Sequence, residues 1–338
     1  MKTDNQHIDK QQLIHILAAE YGVQIPAITF VPKGEEAWTY VAQTAAREQY
    51  FVRVQPAVSA TNLERVFPIV YALHQQHRLT QAVAPLKTCH NTPVVSVDDY
   101  IVAVFPYIEG QTLHQRAPTA ADLTAAAALL ARLHQLLPDA PGLRREDFAN
   151  PFKAPIMRAL DAARTPAAEQ TFLQQEVCGL LKAERADILA TLERMERLQS
   201  QAQQLVTDWV LTHGDPNRDN FLKDQQGTLH LTDWSDLAVG PPERDLALWT
   251  GDWFEVFLQA YVRRRPSLKL HRELFEFYFY RWSVQEIADY ATRILFRRLG
   301  PAEDEHAWAE LQDYLPVKHQ GIAQGVEHVQ SVIERVLG

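Results

Sequence analysis

The fold is indicated most clearly by residues 211–248, which read LTHGDPNRDNFLKDQQGTLHLTDWSDLAVGPPERDLAL. A short apolar run ends in His213-Gly214-Asp215, and Asn220 follows Asp215 by five residues. A turn around Gln226-Gly227 leads into a second apolar run, which ends at Asp233. The pattern therefore predicts two carboxylates and one amide at the ends of paired strands.

Phosphoryl transfer requires this set of groups. One carboxylate must orient the attacking hydroxyl group and accept its proton, and Asp215 fits that role. Oxygen ligands must hold Mg²⁺ on the nucleotide phosphates, which suits Asn220 and Asp233 because hard cations prefer oxygen. The alternative is a surface turn, where Asp and Asn are common for backbone reasons. The complete spacing, with Asp233 thirteen residues after Asn220, favours the catalytic interpretation.

Composition limits the functional classes to which this protein can belong. The 338 residues suffice for two lobes, and 33 Lys and Arg against 42 Asp and Glu give a net charge of −9. An acidic chain without a basic stripe argues against nucleic-acid binding and suits a cationic small molecule. Cys89 and Cys178 are expected to be buried thiols in a reducing cytosol. The polar start of the chain and the lack of a long apolar run predict a cytoplasmic protein that does not engage membranes.

Residue patterns divide the chain into an α+β part and a helical part. The first part is predicted to contain helices over residues 8–20 and 61–77, the second with Pro68 inside it, and strands over 28–32, 38–43, 50–54, 82–88, 93–97 and 100–107. Helical patterns follow, beginning with the capping box Thr119-x-x-Asp122 and broken only by short strands near 206–211 and 228–232. We therefore predict an N-terminal domain over 1–108 and a C-terminal domain over 109–338.

Three segments resemble the aminoglycoside phosphotransferase and choline kinase superfamily, namely 213–220, Asp233-Trp234 and the run GPPERDL at 240–246. The resemblance implies a two-lobed protein-kinase-like α+β fold, with a small β-rich N-lobe and a larger, mostly helical C-lobe. It also implies ATP and Mg²⁺ as cofactors. By position, Asp215 would be the catalytic base, and Asn220 and Asp233 would be the metal ligands. His213 would orient the loop, and Asp245 would brace it.

The same resemblance assigns the nucleotide contacts. Adenine is expected to bind at the connector after the last N-lobe strand, and the phosphates under a turn and beside a basic residue. Arg53 stands where the family carries a lysine, and we expect it to reach the α- and β-phosphates, with Glu64 as its partner. The turn carries one glycine and two carboxylates, Glu35 and Glu36, which departs from the family pattern. The predicted nucleotide-binding residues are Arg53, Gly34, Phe105, Tyr107 and Ile108.

The C-terminal part resembles the spectinomycin phosphotransferase branch of the superfamily. The similarity lies in Tyr280-Arg281-Trp282 and in the segment 286–290, and it recurs near the start at 19–23. Acidic and aromatic side chains are predicted to line a pocket for a cationic, ring-shaped acceptor: Asp252, Glu286, Asp289, Trp249 and Trp282. The alternative is a solvated acidic face backed by core aromatics.

The predicted function is ATP-dependent transfer of phosphate to a hydroxyl group of a small, amino-bearing acceptor such as an aminoglycoside or aminocyclitol. A metabolite kinase for choline, homoserine or a sugar is one alternative. A second is a catalytically weak, kinase-like protein that binds a small molecule or a partner, which Arg53 and the Glu35-Glu36 turn favour. Protein kinase activity has less support, because only a short run separates Asp233 from Gly240.

Overall fold

A computed structural model describes residues 3–5, 8–33, 37–60, 62–136, 142–165, 167, 169–205, 208–297 and 299–338. These residues form two compact units. Unit 1 comprises residues 1–145, 210–239 and 260–266, and unit 2 comprises residues 146–209, 240–259 and 267–338. The boundary predicted near residue 108 separates two lobes, and that division is not the same as the division into these two units. The boundary therefore stays a prediction.

Unit 1 contains a five-stranded antiparallel sheet. Its strands are β1 (Ala27–Val31), β2 (Trp38–Gln43), β3 (Gln49–Pro56), β4 (Val95–Val97) and β5 (Tyr100–Pro106), in the order β1-β2-β3-β5-β4. Apolar side chains of the central strands β3 and β5 and of helix α1 (Lys10–Tyr21) form its core. Helix α2 (Leu63–Gln75) follows β3 and continues through Pro68. The α+β character of this part is confirmed.

The predicted strand over 82–88 is wrong. Ala82 makes only an isolated bridge to Leu231, and Leu86 donates its N–H to the Val104 carbonyl. Pro85 has no N–H and interrupts any ladder through this segment. The short contact with Leu231 nevertheless lies two residues before Asp233, so the segment supports the strand that leads to the predicted metal ligand.

Two smaller sheets complete unit 1. Strands β6 (Gly110–Thr112), β8 (Phe221–Asp224) and β9 (Leu229–Leu231) form one in the order β6-β8-β9, and β7 (Val210–Thr212) pairs with β10 (Ala238–Gly240). Gly110 allows the close approach of β6 to β8, because a Cβ there would stand 2.2 Å from the Lys223 carbonyl oxygen. The connector after β5 is thereby tied to the strand that follows Asn220.

Helix α3 (Ala120–Leu133) begins at the predicted capping box, which is confirmed. Thr119 Oγ1 accepts from the Asp122 N–H, and Asp122 accepts from the Thr119 N–H. Asp122 also pairs with Lys223 of β8 at 2.8 Å and with Arg116 at 3.0 Å, although its own side chain is only 3% exposed. This carboxylate therefore joins α3 to strand β8, which directly follows Asn220.

Unit 2 is helical, as predicted for the C-terminal part. Its helices are α4 (Lys153–Arg164), α5 (Phe172–Ala183), α6 (Arg185–Ala202), α7 (Glu243–Leu246), α8 (Phe254–Val262, whose last residues belong to unit 1), α9 (Arg272–Thr292), α10 (Pro301–Tyr314) and α11 (His319–Leu337). The buried carboxylate of Glu146 accepts from Arg281 of α9 at 2.8 Å and lies 3.5 Å from Arg244 of α7. Within the described part of the chain, no helix is both long enough and apolar enough to cross a bilayer.

The two cysteines differ in burial. Cys178 is buried in α5, as expected, whereas the expectation for Cys89 is wrong, because its side chain is exposed. Cys89 lies in a tight turn in which the Thr88 N–H donates to the Thr92 carbonyl. A turn at the surface offers no apolar enclosure for its thiol.

Candidate active site

The loop at residues 213–220, here called the catalytic loop because it carries the predicted base Asp215, is anchored by a fully buried histidine. His213 directly follows β7, and its Nδ1 accepts the backbone N–H of Asp215 at 3.3 Å. Its Nε2 lies 2.9 Å from the Thr232 carbonyl oxygen. Because Nδ1 accepts, Nε2 carries the proton and donates to that carbonyl. The ring thus fixes the position of Asp215 relative to the end of β9, and it packs against Trp234 with ring centroids 4.6 Å apart.

Two amide side chains hold the carboxylate of Asp215. Asn217 Nδ2 donates to Asp215 Oδ1 at 2.9 Å, and Asn220 Nδ2 donates to Asp215 Oδ2 at 3.0 Å. Asn220 Nδ2 also lies 2.8 Å from the Asp215 carbonyl oxygen. These contacts bring together two of the three residues singled out by spacing and fix the orientation of the carboxylate.

The electrostatics around Asp215 raise the pKa of its carboxyl group above that of a free aspartate. Desolvation raises the pKa of Asp215 most strongly, and the negative charges of Asp233 and Asp236 raise it further. The hydrogen bonds from Asn217 and Asn220 lower it but do not compensate, so the pKa lies well above the ordinary value. The carboxylate is therefore placed where acquiring a proton is unusually easy.

Sequence reasoning missed Asn217, which organises the loop. Its Oδ1 accepts the N–H groups of Asp219 at 2.8 Å and Asn220 at 3.2 Å, while its Nδ2 holds Asp215. An Asn that accepts from N–H groups two and three residues ahead is a common turn-forming side chain. The signal was present in the sequence DPNRDN, where Asn217 follows a proline in a polar run.

Asp233 is joined to the N-terminal sheet by Arg53. Arg53 Nη1 donates to Asp233 Oδ1 at 2.6 Å, and Arg53 Nε donates to Gln55 Oε1 at 3.2 Å. Glu64, the expected partner of Arg53, is instead exposed on the first turn of α2, so that expectation is wrong. The side chain of Arg53 is 11% exposed and that of Asp233 is 42% exposed, so the pair sits at the edge of the protein interior.

Asp233 adopts a left-handed backbone conformation, with φ of 57°. Non-glycine residues in this region are uncommon, and they concentrate at functional sites. Desolvation raises its pKa, but the charge of Arg53 and the hydrogen bonds from Arg53 and Ser235 outweigh that effect, so the pKa is lowered. The lowered pKa favours the ionised form of Asp233, which is the form that the predicted metal ligand requires.

The side chains at this site suit Mg²⁺ by the chemistry of their donor atoms. Asn220 directs its Nδ2 towards Asp215, which leaves its amide oxygen at the other end of the group. Asp233 Oδ1 accepts from Arg53 and Ser235, so Oδ2 is the oxygen that remains for the predicted cation. An amide oxygen and a carboxylate oxygen are both hard ligands.

The other residues predicted to contact the nucleotide include two at the end of β5 and just after it. Phe105 lies on β5, and its ring packs edge-on against that of Phe67 with the ring centroids 5.6 Å apart. The Tyr107 N–H donates to the Gln49 carbonyl at 3.3 Å. Ile108 lies in the connector between β5 and β6. Gly34 lies outside the described residues, as do Glu35 and Glu36. The adenine and phosphate assignments for these residues stay predictions.

The predicted acceptor residues belong to unit 2, whereas Asp215 belongs to unit 1. Asp252 is exposed and Glu286 is half-buried on α9. Asp289 pairs with Arg293 at 2.6 Å and with Arg297 at 3.2 Å. Trp282 donates to the Tyr314 hydroxyl oxygen at 3.3 Å, and Trp249 is 3% exposed and stacks on Phe257. Their roles towards an acceptor stay predictions, as does the bracing role of the fully buried Asp245.

Comparisons with known proteins bear on the family and the fold of this chain. A family model described as "Phosphotransferase enzyme family" matches residues 27–267, which include β1 to β10 and the whole catalytic loop. Protein StrN of Streptomyces griseus is 30% identical over 339 residues, and the match covers 94% of this chain and 97% of StrN.

Solved structures resemble this fold over nearly its whole length. Spectinomycin phosphotransferase, in complex with ADP and spectinomycin, aligns with a TM-score of 0.76 at 18% identity, covering 96% of this chain and all of that one. Choline kinase from Streptococcus pneumoniae aligns with a TM-score of 0.58 at 16% identity, covering 93% and 98%. These similarities confirm the kinase-like fold with an antiparallel N-terminal sheet and a helical C-terminal part.

Proposed function

Because the chain belongs to the phosphotransferase enzyme family, we propose that it transfers the γ-phosphate of ATP to a hydroxyl group of a small, amino-bearing acceptor. The observation that carries this proposal is the fixed carboxylate of Asp215, which Asn217 and Asn220 hold from two sides. A surface turn would have no need for a carboxylate oriented in this way, whereas general-base catalysis requires it.

Each residue of the loop has a distinct task in this proposal. Asp215 orients the acceptor hydroxyl and accepts its proton as the phosphate is transferred. Asn220 and Asp233 would hold Mg²⁺, which when bound neutralises charge on the phosphates and links them to the protein. Arg53 keeps Asp233 ionised and correctly placed, and it supplies a positive charge for the nucleotide phosphates.

An amino-bearing acceptor has two kinds of support. The structurally similar proteins act on spectinomycin, choline and ethanolamine by their names, and these molecules combine hydroxyl and amino or ammonium groups. The net charge of −9 and the exposed carboxylate of Asp252 favour a cationic ligand over an anionic one. Asp289 contributes less than its charge suggests, because Arg293 and Arg297 already pair with it.

The proposal is tested by measuring ATP consumption with aminoglycosides, aminocyclitols, choline-like amines and sugar alcohols, in the presence of Mg²⁺. Mass spectrometry of the acceptor identifies a phosphorylated product. We expect turnover with at least one amino-bearing acceptor, and we expect Asp215→Asn to reduce it by at least about 10²-fold, which is typical of losing a positioned base.

The matched control is Asp219→Asn, which makes the same change in the same loop at an exposed residue. Both variants should keep the wild-type thermal unfolding temperature to within a few degrees and should still bind nucleotide. Full activity of Asp215→Asn on an acceptor that the wild type phosphorylates contradicts the assigned base. Nucleotide binding without turnover on any acceptor supports the alternative of a kinase-like binding protein.

A further inference from the structure

Three potential metal ligands of different chemistry meet at the surface of unit 1. They are a carboxylate oxygen of Glu20, Sγ of Cys89 and a ring nitrogen of His90, and all three atoms lie within 4.8 Å of one another. His90 Nε2 is 3.7 Å from Glu20 Oε2. The nucleotide-side and catalytic residues described above include none of these three, so the cluster calls for a separate explanation.

The backbone holds the cluster in place from both sides. Glu20 lies in the last turn of α1, which Tyr21 fastens to β5 by donating its hydroxyl proton to the Val102 carbonyl. The Cys89 N–H donates to the Glu20 carbonyl at 2.7 Å. Thr88 Oγ1 accepts the N–H groups of His90 and Thr92, each at 3.2 Å, which fixes the turn that presents Cys89 and His90.

We propose that Glu20, Cys89 and His90 form a binding site for Zn²⁺ or a similar borderline metal ion. Thiolate and imidazole ligands disfavour Mg²⁺ and Ca²⁺, which prefer oxygen, whereas thiolate, imidazole and carboxylate donors all occur in zinc sites. In a tetrahedral zinc site the ligand atoms stand about 3.3–3.6 Å apart. The observed separation of 3.7 Å between His90 Nε2 and Glu20 Oε2 is close to this, and rotation of the exposed side chains of Cys89 and His90 would bring the remaining ligand atoms within range.

The number of ligands determines how the site behaves. Three protein ligands leave one position for water, as in exchangeable zinc sites, whereas closed structural sites have four. Binding requires the Cys89 thiol to release its proton to solvent, so the apparent affinity must fall as the pH is lowered. The bound ion would fasten the end of α1 to the turn at residues 88–92 and stabilise that side of unit 1.

The test uses the untagged full chain, freed of metal with a chelator and then titrated with Co²⁺ and with Zn²⁺. Co²⁺ bound to a thiolate gives a charge-transfer absorption band in the near ultraviolet, and Zn²⁺ should displace it. We expect one equivalent of Co²⁺ to produce this band in the wild type, and Zn²⁺ to raise the unfolding temperature. The band separates this site from the oxygen ligands Asn220 and Asp233.

Single substitutions test which of the three residues bind the metal ion. Cys89→Ser should abolish the band, and His90→Ala and Glu20→Gln should each weaken Zn²⁺ binding by at least about tenfold. The controls are Cys178→Ser, which removes the buried thiol, and His114→Ala, which removes another exposed histidine that lies 3.7 Å from a carboxylate. No thiolate band in the wild type, or a band that survives in Cys89→Ser, overturns the proposal.

Discussion

Replacement of Arg53 by alanine tests the nucleotide side of the proposed mechanism most directly. Arg53 is proposed to hold the ligand Asp233 and to attract the phosphates of ATP, and only the first of these contacts is visible, at 2.6 Å. A hydrogen bond between charged groups contributes about 1.5–3 kcal/mol. If Arg53 contacts the phosphates, Arg53→Ala should weaken ATP binding by about 10- to 150-fold, since about 1.4 kcal/mol corresponds to tenfold.

The effect on folding should be smaller than the effect on binding. Asp233 is 42% exposed, so solvent screens its attraction to Arg53 and the pair contributes about 1 kcal/mol or less to stability. Removing Arg53 leaves Ser235 as the donor to Asp233 Oδ1 and takes away the charge that lowers the pKa of Asp233. The Mg²⁺ concentration needed for half-maximal activity should therefore rise together with the ATP Michaelis constant.

Calorimetric titration with a non-hydrolysable ATP analogue, with and without Mg²⁺, separates these contributions. Arg53→Lys should lie between the wild type and Arg53→Ala, because lysine keeps the charge but is a single point rather than a fork. Arg65→Ala, which removes an exposed arginine of the same unit, is the control for net charge. If Arg53→Ala binds the analogue as tightly as the wild type, Arg53 only supports Asp233 and its phosphate contact is refuted.

Two further predictions concern stability and the acceptor. Desolvation raises the pKa of Asp122, but hydrogen bonds from Lys223, Thr119 and Arg116 lower it more, so its folded pKa lies below the unfolded value of about 3.9. The stabilisation that the ionised Asp122 carboxylate gives to the fold is therefore present above that unfolded pKa and is lost as the pH falls. Asp122→Ala should lower the free energy of unfolding, measured in urea, by about 1–3 kcal/mol at neutral pH but by much less in acid. An equal loss at both values of pH would contradict this. Glu286→Gln should raise the Michaelis constant of a cationic acceptor but not that of ATP. The difference between the acceptor constants of the variant and the wild type should shrink at high salt. An unchanged acceptor constant would place Glu286 outside the acceptor site.

The local pattern of the catalytic loop was predictable because its constraints are short in range. A strand end, a turn and a second strand end put Asp215, Asn220 and Asp233 within a few residues of structured backbone. The capping box of Thr119 and Asp122 was predictable for the same reason, since both hydrogen bonds lie within one helical turn. In each case the residue types and the distance along the chain already specify the contact.

Contacts between distant residues could not be predicted from local pattern. Arg53 and Asp233 are 180 positions apart, and Lys223 and Asp122 are 101 apart. Periodicity indicates which face of an element is buried, but it does not indicate which charged side chain meets which. Glu64, the expected partner of Arg53, is exposed, and Arg53 contacts Asp233 and Gln55 instead.

The predicted acceptor residues show a second limit of prediction from sequence. Buried side chains of α9 include Phe275, Phe277, Tyr278 and Tyr280, so its buried surface extends around more than one face. Polar residues on such a helix are as readily internal pairing groups as ligand contacts, and Asp289 proves to be paired with two arginines. Sequence pattern alone does not separate a core tryptophan such as Trp249 from one that lines a pocket.

The arginine at position 53 bears on whether this chain is an enzyme or only a binding protein. A lysine ammonium is a single compact charge, whereas a guanidinium presents five N–H donors in a plane. The contacts to Gln55 and Asp233 use two different nitrogens of that plane, so one side chain is fixed at two points while it holds the predicted metal ligand Asp233. The departure from lysine is therefore compatible with catalysis. The low pKa and fixed position of Asp233 follow from the same contact, and both favour an active phosphotransferase over an inactive relative.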